Sequence, residues 1–231
     1  MFTTAQGDVA VVVSLARPIH DPRLDASDEV LPREDGWCFE QLAGRLAQLE
    51  GTGDSAALSF AFSIILEAQQ AGEPAAWITV HPPAAPRPDG RVEASVFYPP
   101  DAHDNGIDLA ALPVVRVPGV TAVFSAADLL LRSGGFGLIV ADLGVPPAVP
   151  STALARLAGL SRRHHTAIVF LTQPGAASPG SLGSLISVHA HARRRRAGDD
   201  RFDCGVVALK DKHRGPVWRH LEVRHGASGL R

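Results

Sequence analysis

Gly51-Thr52-Gly53-Asp54-Ser55-Ala56-Ala57-Leu58 lies between a short stretch of alternating apolar residues and a long amphipathic one. A strand, a turn and the first turn of a helix are expected there, and such a junction favours phosphate through its backbone amides and helix dipole. A working phosphate loop reads G-x-x-x-x-G-K-[ST]: amides cradle the phosphates, the lysine neutralises the β- and γ-oxygens, and the hydroxyl holds Mg²⁺. In this chain Ala56 stands at the second glycine, Ala57 at the lysine and Leu58 at the hydroxyl. Each lost contact is of a kind worth about 1.5–3 kcal/mol. Asp54 adds a negative charge that repels phosphate. The frame of a nucleotide loop is present without its chemistry, so neither ATP hydrolysis nor tight ATP binding is expected.

The remaining chemistry-bearing residues form weaker patterns. Ser55 lacks the G-x-S-x-G context of a nucleophile elbow. His164-His165 and His189/His191 are adjacent or alternating pairs, whose side chains diverge, and no third ligand has suitable spacing, so no metal site is expected. Cys38 and Cys204 belong to no Cys-x-x-Cys or Cys/His cluster and read as free thiols. Arg193–Arg196 is the strongest charge feature; on a strand only two of the four share a face. It reads either as a solvated run or as an attachment point for a partner. Residues 1–192 hold 11 Lys+Arg against 19 Asp+Glu, whereas 193–231 hold 11 against 5. An acidic body with a basic end suits contact with nucleic acid, an acidic protein groove or its own body.

The elements that must position these residues follow from periodicity. Apolar runs at 75–80, 113–117, 134–143 and 166–173 read as buried strands, and 55–73, 121–132 and 151–165 as helices. Residues 8–14 form a short β-branched run, 15–35 a surface connection and 91–100 a hairpin-like segment. Three closing strands, joined without helices, suggest an antiparallel extension. The fold class is α/β, a mostly parallel sheet with helices on both faces and an antiparallel C-terminal edge. One domain spans 1–231: 1–43 as N-terminal strand and irregular connection, 44–192 as core, 193–231 as basic closing strands. No apolar run approaches the roughly 20 residues of a membrane span, and the N-terminus lacks signal-peptide regions. A cytoplasmic protein without membrane contact is expected.

Residues 44–230 resemble the RecA-like proteins. RLAQLEGTGDSAALSFAF is similar to the strand, phosphate loop and helix of that group, and FGLIVADL to its Walker B strand, with Asp142 keeping the aspartate. TAIVFLTQP resembles the strand ending in the γ-phosphate-sensing glutamine, here Gln173. AAWITVHPP matches the strand whose terminal acid activates water, but carries His81 in that place. ALKDK resembles the strand reaching a neighbouring subunit's nucleotide, with Lys210 and Lys212. Both DNA-binding loops of a recombinase are shortened, the second between Gln173 and Leu182, so weak or no direct DNA binding is implied.

Within this group the chain resembles the ImuA family, most clearly along SVFYPPDAHDNGIDLAALPVVRV. That resemblance implies a catalytically inactive RecA-like core acting in damage-induced translesion synthesis. Its implied partners are RecA, an ImuB-like polymerase homologue and the error-prone replicative polymerase. Gly51, Ser55, Ala56, Ala57, Leu58, His81, Asp142 and Gln173 are then a degenerate nucleotide site. Asp142 can equally cap a turn, Gln173 can equally end a strand by hydrogen bonding, and His81 reads as a solvated loop residue. Arg193, Arg194, Arg195, Arg196, Lys210, Lys212 and Trp218 form the candidate partner surface, with Trp218 open to a core reading. The rival readings are an ATP-dependent recombinase paralogue and a SulA-like regulator of cell division.

Overall fold

Runs of aliphatic and β-branched residues fold as one eight-stranded sheet in the order β3-β2-β4-β5-β1-β6-β7-β8. The strands are β1 Leu46–Glu50, β2 Ala75–Val80, β3 Val114–Val117, β4 Leu138–Gly144, β5 Ala167–Thr172, β6 Val188–Arg196, β7 Arg201–Asp211 and β8 Arg219–His225. The helices are α1 Phe39–Leu42, α2 Ala57–Gln70, α3 Pro99–Asp104, α4 Val120–Ser133 and α5 Ser151–His164, with a 3₁₀ turn at Leu109–Ala111. The computed structural model describes residues 36–51, 55–80, 97–145, 148–173, 180–199, 201–215 and 218–225. The expected strand at 8–14, the connection at 15–35, Thr52–Asp54, His81 and 174–179 of the shortened loop lie outside the described residues. Leu31–Arg231 forms one compact unit.

Strands β3 to β6 across the sheet are parallel, and β7 is antiparallel to both its neighbours. The class is therefore α/β, with a mostly parallel sheet, helices on both faces and an antiparallel C-terminal edge. One detail is corrected. The first of the three closing strands, β6, joins the body in parallel beside β1, so β7 alone runs against the rest of the sheet. A boundary at residue 193 consequently falls inside a strand.

Strands β2, β4 and β5 are largely apolar on both faces, which is why their sequences read as hydrophobic runs. Ala47, Leu49, Trp77, Val140 and Val169 face α1, α2 and α3; Leu46, Ile78, Ile139, Ile168 and Phe170 face α4 and α5. Helix α4 stops because Gly134 adopts the left-handed conformation, φ +66, that a residue with a Cβ resists. Two expectations fail locally. The described end of the hairpin-like segment is helical: Pro99 and Pro100 open α3, where the missing amide hydrogens cost nothing. The core also begins before residue 44, since Trp37 and Leu42 are buried against α2 and the Phe39 amide donates to Glu67 Oε2 at 2.6 Å. Among the described residues no helix is long and apolar enough to cross a membrane.

Arg45, just before β1, is buried and donates to Asp211 at the end of β7, to the Ser187 hydroxyl at 3.0 Å and to the Gln41 carbonyl at 3.0 Å. Asp211 also accepts from the His213 amide at 2.9 Å and the Trp218 indole at 3.0 Å. Burial pushes the Asp211 carboxyl up, but these donors and the Arg45 charge outweigh it and hold it below the ordinary aspartate value of 3.8. A depressed native value means the stabilisation is complete above about pH 4 and is lost as pH falls through that native value. Asp211→Asn should cost about 3 kcal/mol at pH 7 by leaving Arg45 buried and unpaired. Urea unfolding from pH 7 to 3 should show the gap between wild type and variant closing below about pH 4.

Candidate functional site

The parallel strands end together at one edge of the sheet. Helix α2 leaves β1 on one face and α5 follows β4 on the other, so the chain diverges there, at the usual ligand position in such sheets. Register brings Glu50 opposite Thr172 and His191, and Thr79 opposite Asp142. The Gly51 amide donates to the Thr172 carbonyl at 3.0 Å, and the Gln173 amide to the Gly144 carbonyl at 2.7 Å. Gly51, Asp142 and Gln173, far apart in sequence, therefore share one edge.

The described part of the loop folds back on Gly51. A Cβ there would lie 2.1 Å from Ser55 Oγ and 3.0 Å from the Ala57 Cβ, so a larger residue would have to displace the Ser55 hydroxyl. Ser55 Oγ accepts from the Ala57 amide at 3.3 Å. Ala56 is fully buried and Leu58 is exposed. Positions 51 and 55–58 thus offer one hydroxyl and no cation to a phosphate. Asp142 is buried, and its Oδ1 accepts from the Gly144 amide at 3.3 Å, the geometry of a strand-terminal acid capping a turn.

Two functional-edge residues had no counterpart in the sequence reading. Gln48, fully buried in mid-β1, donates to Thr172 Oγ1 at 3.0 Å and to the Gly180 carbonyl at 2.9 Å, and accepts from the Leu182 amide at 2.8 Å. It fastens the end of the shortened loop to the sheet. Glu50, immediately before the loop, meets His189 Nε2 at 3.2 Å in a largely buried pair. It sets a carboxylate where a triphosphate needs cations. The available signal was a polar residue at every second position of strands otherwise apolar.

The candidate partner residues are not one patch. Trp218 is 3% exposed and bonded to Asp211, so it is core, as its place on an alternating strand allowed. Lys210 and Lys212 lie at the other edge of the sheet, because β7 runs antiparallel and its end pairs with the start of β6. Lys210 donates to the Ser184 carbonyl at 3.2 Å, and burial, with Lys212 beside it, holds its ammonium below the ordinary lysine range. The arginine run divides by face. Arg194 stacks over Phe202 at 5.2 Å and Arg196 donates to the Gly198 and Asp199 carbonyls, while Arg195 pairs with Asp203 at 3.0 Å.

His165 ends α5 in the left-handed conformation, φ 56, a capping role. Among the described residues no three His, Cys, Asp or Glu side chains are grouped to hold a metal ion. A cleft of about 420 Å³ between α4 and α5, lined by Phe124, Leu129, Leu157 and the Asp128–Arg132–Arg156 cluster, is separate from the loop edge. No known protein family matches the chain, and no curated protein matches it.

The loop edge carries a testable consequence. Ligand binding to the native state alone stabilises by RT ln(1 + [L]/Kd), about 2.7 kcal/mol at a hundredfold excess over Kd. Millimolar ATP-Mg²⁺ should leave the melting temperature within about 1 °C of the free protein. A clear rise abolished by Asp142→Ala would show a working nucleotide site.

Proposed function

We propose that this chain is a catalytically inactive RecA-like adaptor in damage-induced translesion synthesis, of the ImuA kind. In this reading it is a cytoplasmic protein that works by contacts with RecA and an ImuB-like polymerase homologue, and beyond them the error-prone replicative polymerase. The observation that carries the reading is the loop edge itself. Strand order gathers Gly51, Asp142 and Gln173 where a RecA-like core would use them, while Ala57, Leu58 and Glu50 supply none of the charge that nucleotide needs. A loop edge without that charge favours a scaffold over a motor. The recombinase alternative draws on the same Asp142 and Gln173 but needs a cation at the loop.

Lys210 and Lys212 would reach toward a neighbouring subunit's nucleotide in a filament; with no nucleotide there is nothing for them to bridge. Electron micrographs of the protein with ATP and single-stranded DNA should show no regular helical filament, and DNA binding should be weak and salt-steep. Immobilised protein should retain RecA at micromolar concentration. Regular filaments, or RecA passing through unretained, would overturn the adaptor reading.

A further inference from the structure

The two helical layers differ in charge. Helices α1, α2 and α3, on one face of the sheet, carry Glu40, Glu67, Asp101 and Asp104 and no lysine or arginine. Helices α4 and α5, on the other face, carry Arg132, Arg156, Arg162 and Arg163 against Asp128 alone. On the acidic side Glu67 is turned to the Phe39 amide, whereas Asp101 and Asp104 of α3 and Asp108 just beyond it are exposed. On the basic side Asp128 is shared: Arg156 donates to both its oxygens and Arg132 meets Oδ2 at 3.0 Å. This pairing holds two guanidiniums beside one carboxylate while their side chains stay 51% and 61% exposed, and it leaves one positive charge. Arg163, exposed and seven residues on from Arg156, adds another on the same side of α5.

Each layer also exposes apolar surface beside its charges. Leu129, 61% exposed, borders the cleft of about 420 Å³ between α4 and α5, which Phe124, Ala153 and Leu157 also line. A chain of phosphates would leave Leu129 and this cleft uncovered and would meet the Asp128 carboxylate. The opposite face of the same chain has both parts of a complement. Tyr98, directly before α3, is 56% exposed and Leu109 is 36% exposed, and they flank Asp101, Asp104 and Asp108. Acids meet arginines and apolar groups meet the cleft, the division of labour of a protein interface. Because the two surfaces lie on opposite faces of the sheet, a contact between them joins copies head to tail rather than about a two-fold axis.

We propose that the α4–α5 layer is the docking surface for a second copy of this chain: Asp101, Asp104 and Asp108 of one copy meet Arg132, Arg156 and Arg163 of the next, and Tyr98 and Leu109 cover Leu129 and the cleft. The contact uses neither nucleotide nor DNA and does not rest on the adaptor reading. An interface this polar is weak, with a Kd of roughly tens of micromolar, and salt weakens it further.

The test is sedimentation velocity of the full chain from about 5 to 200 µM, without nucleotide or DNA. Wild type should move to larger species as concentration rises, and the shift should vanish at about 1 M salt. Arg132→Gln/Arg156→Gln and Asp101→Asn/Asp104→Asn should each stay monomeric alone, with circular dichroism unchanged. Mixed in equal amounts they should form a dimer and nothing larger, because one intact acidic face and one intact basic face remain between them. Arg195→Gln, which removes a charge elsewhere, should associate within twofold of wild type. Leu129→Arg, at an exposed position, should also stay monomeric and repeats the test should a double variant misfold. A wild type monomeric throughout, or a double variant that still associates alone, overturns the proposal. So does a mixture of the two folded variants that stays monomeric. Binding of oligothymidylate that is lost in Arg132→Gln/Arg156→Gln, without self-association of the wild type, gives the basic layer to nucleic acid and overturns it as well.

Discussion

The structure depends on satisfying the polar groups of β1. This strand lies between β5 and β6, bonded on both sides, and all five of its residues are buried. Burying an amide or a charge without a partner costs several kcal/mol, yet Gln48 and Glu50 lie within β1 and Arg45 directly before it. Each is answered from a distant part of the chain: Arg45 by Asp211, Gln48 by Thr172 and the 180–182 segment, Glu50 by His189. These contacts fasten the C-terminal strands and the end of the shortened loop to the middle of the sheet. An apolar strand would pack as well but would not specify which segment lies against it.

The same strand delivers the chain to the loop edge, where Gly51 follows directly on Glu50. Gly51 is held by the Ser55 hydroxyl folding against it, and Asp142 is held by the Gly144 amide. Both serve the turn in which they sit. Local packing accounts for both, and Ala57 and Leu58 place neither a cation nor a hydroxyl beside them. Glu50, one residue before Gly51, is answered by a histidine of the neighbouring strand.

Charge is distributed by the same geometry. The basic C-terminal segment looks like one feature in composition, but pleating divides it into residues that finish the fold and residues that face outward. Arg194 and Arg196 complete the β6–β7 hairpin, Trp218 completes the core, and Arg195 stands on the face opposite α2. Sheet coverage follows strand order: α4 and α5 span the β3 to β1 side, and among the described residues no helix lies on that face of the last three strands.

The sequence by itself determined the local periods of this protein. Strands β2 and β5 were legible to the residue or nearly so, because buried parallel strands are continuous apolar runs, and α2 and α5 showed in their apolar faces. The lack of a cation and a hydroxyl at positions 57 and 58 was legible because it is a matter of residue type alone. Only the tertiary structure decided that β6 runs parallel to the body, that Pro99-Pro100 starts a helix, and that Trp218 is core. It alone revealed Gln48 and Glu50, whose partners lie 124 to 139 residues away. Periodicity records which side of an element is apolar; a buried polar group is recognisable only when topology supplies the atom that satisfies it.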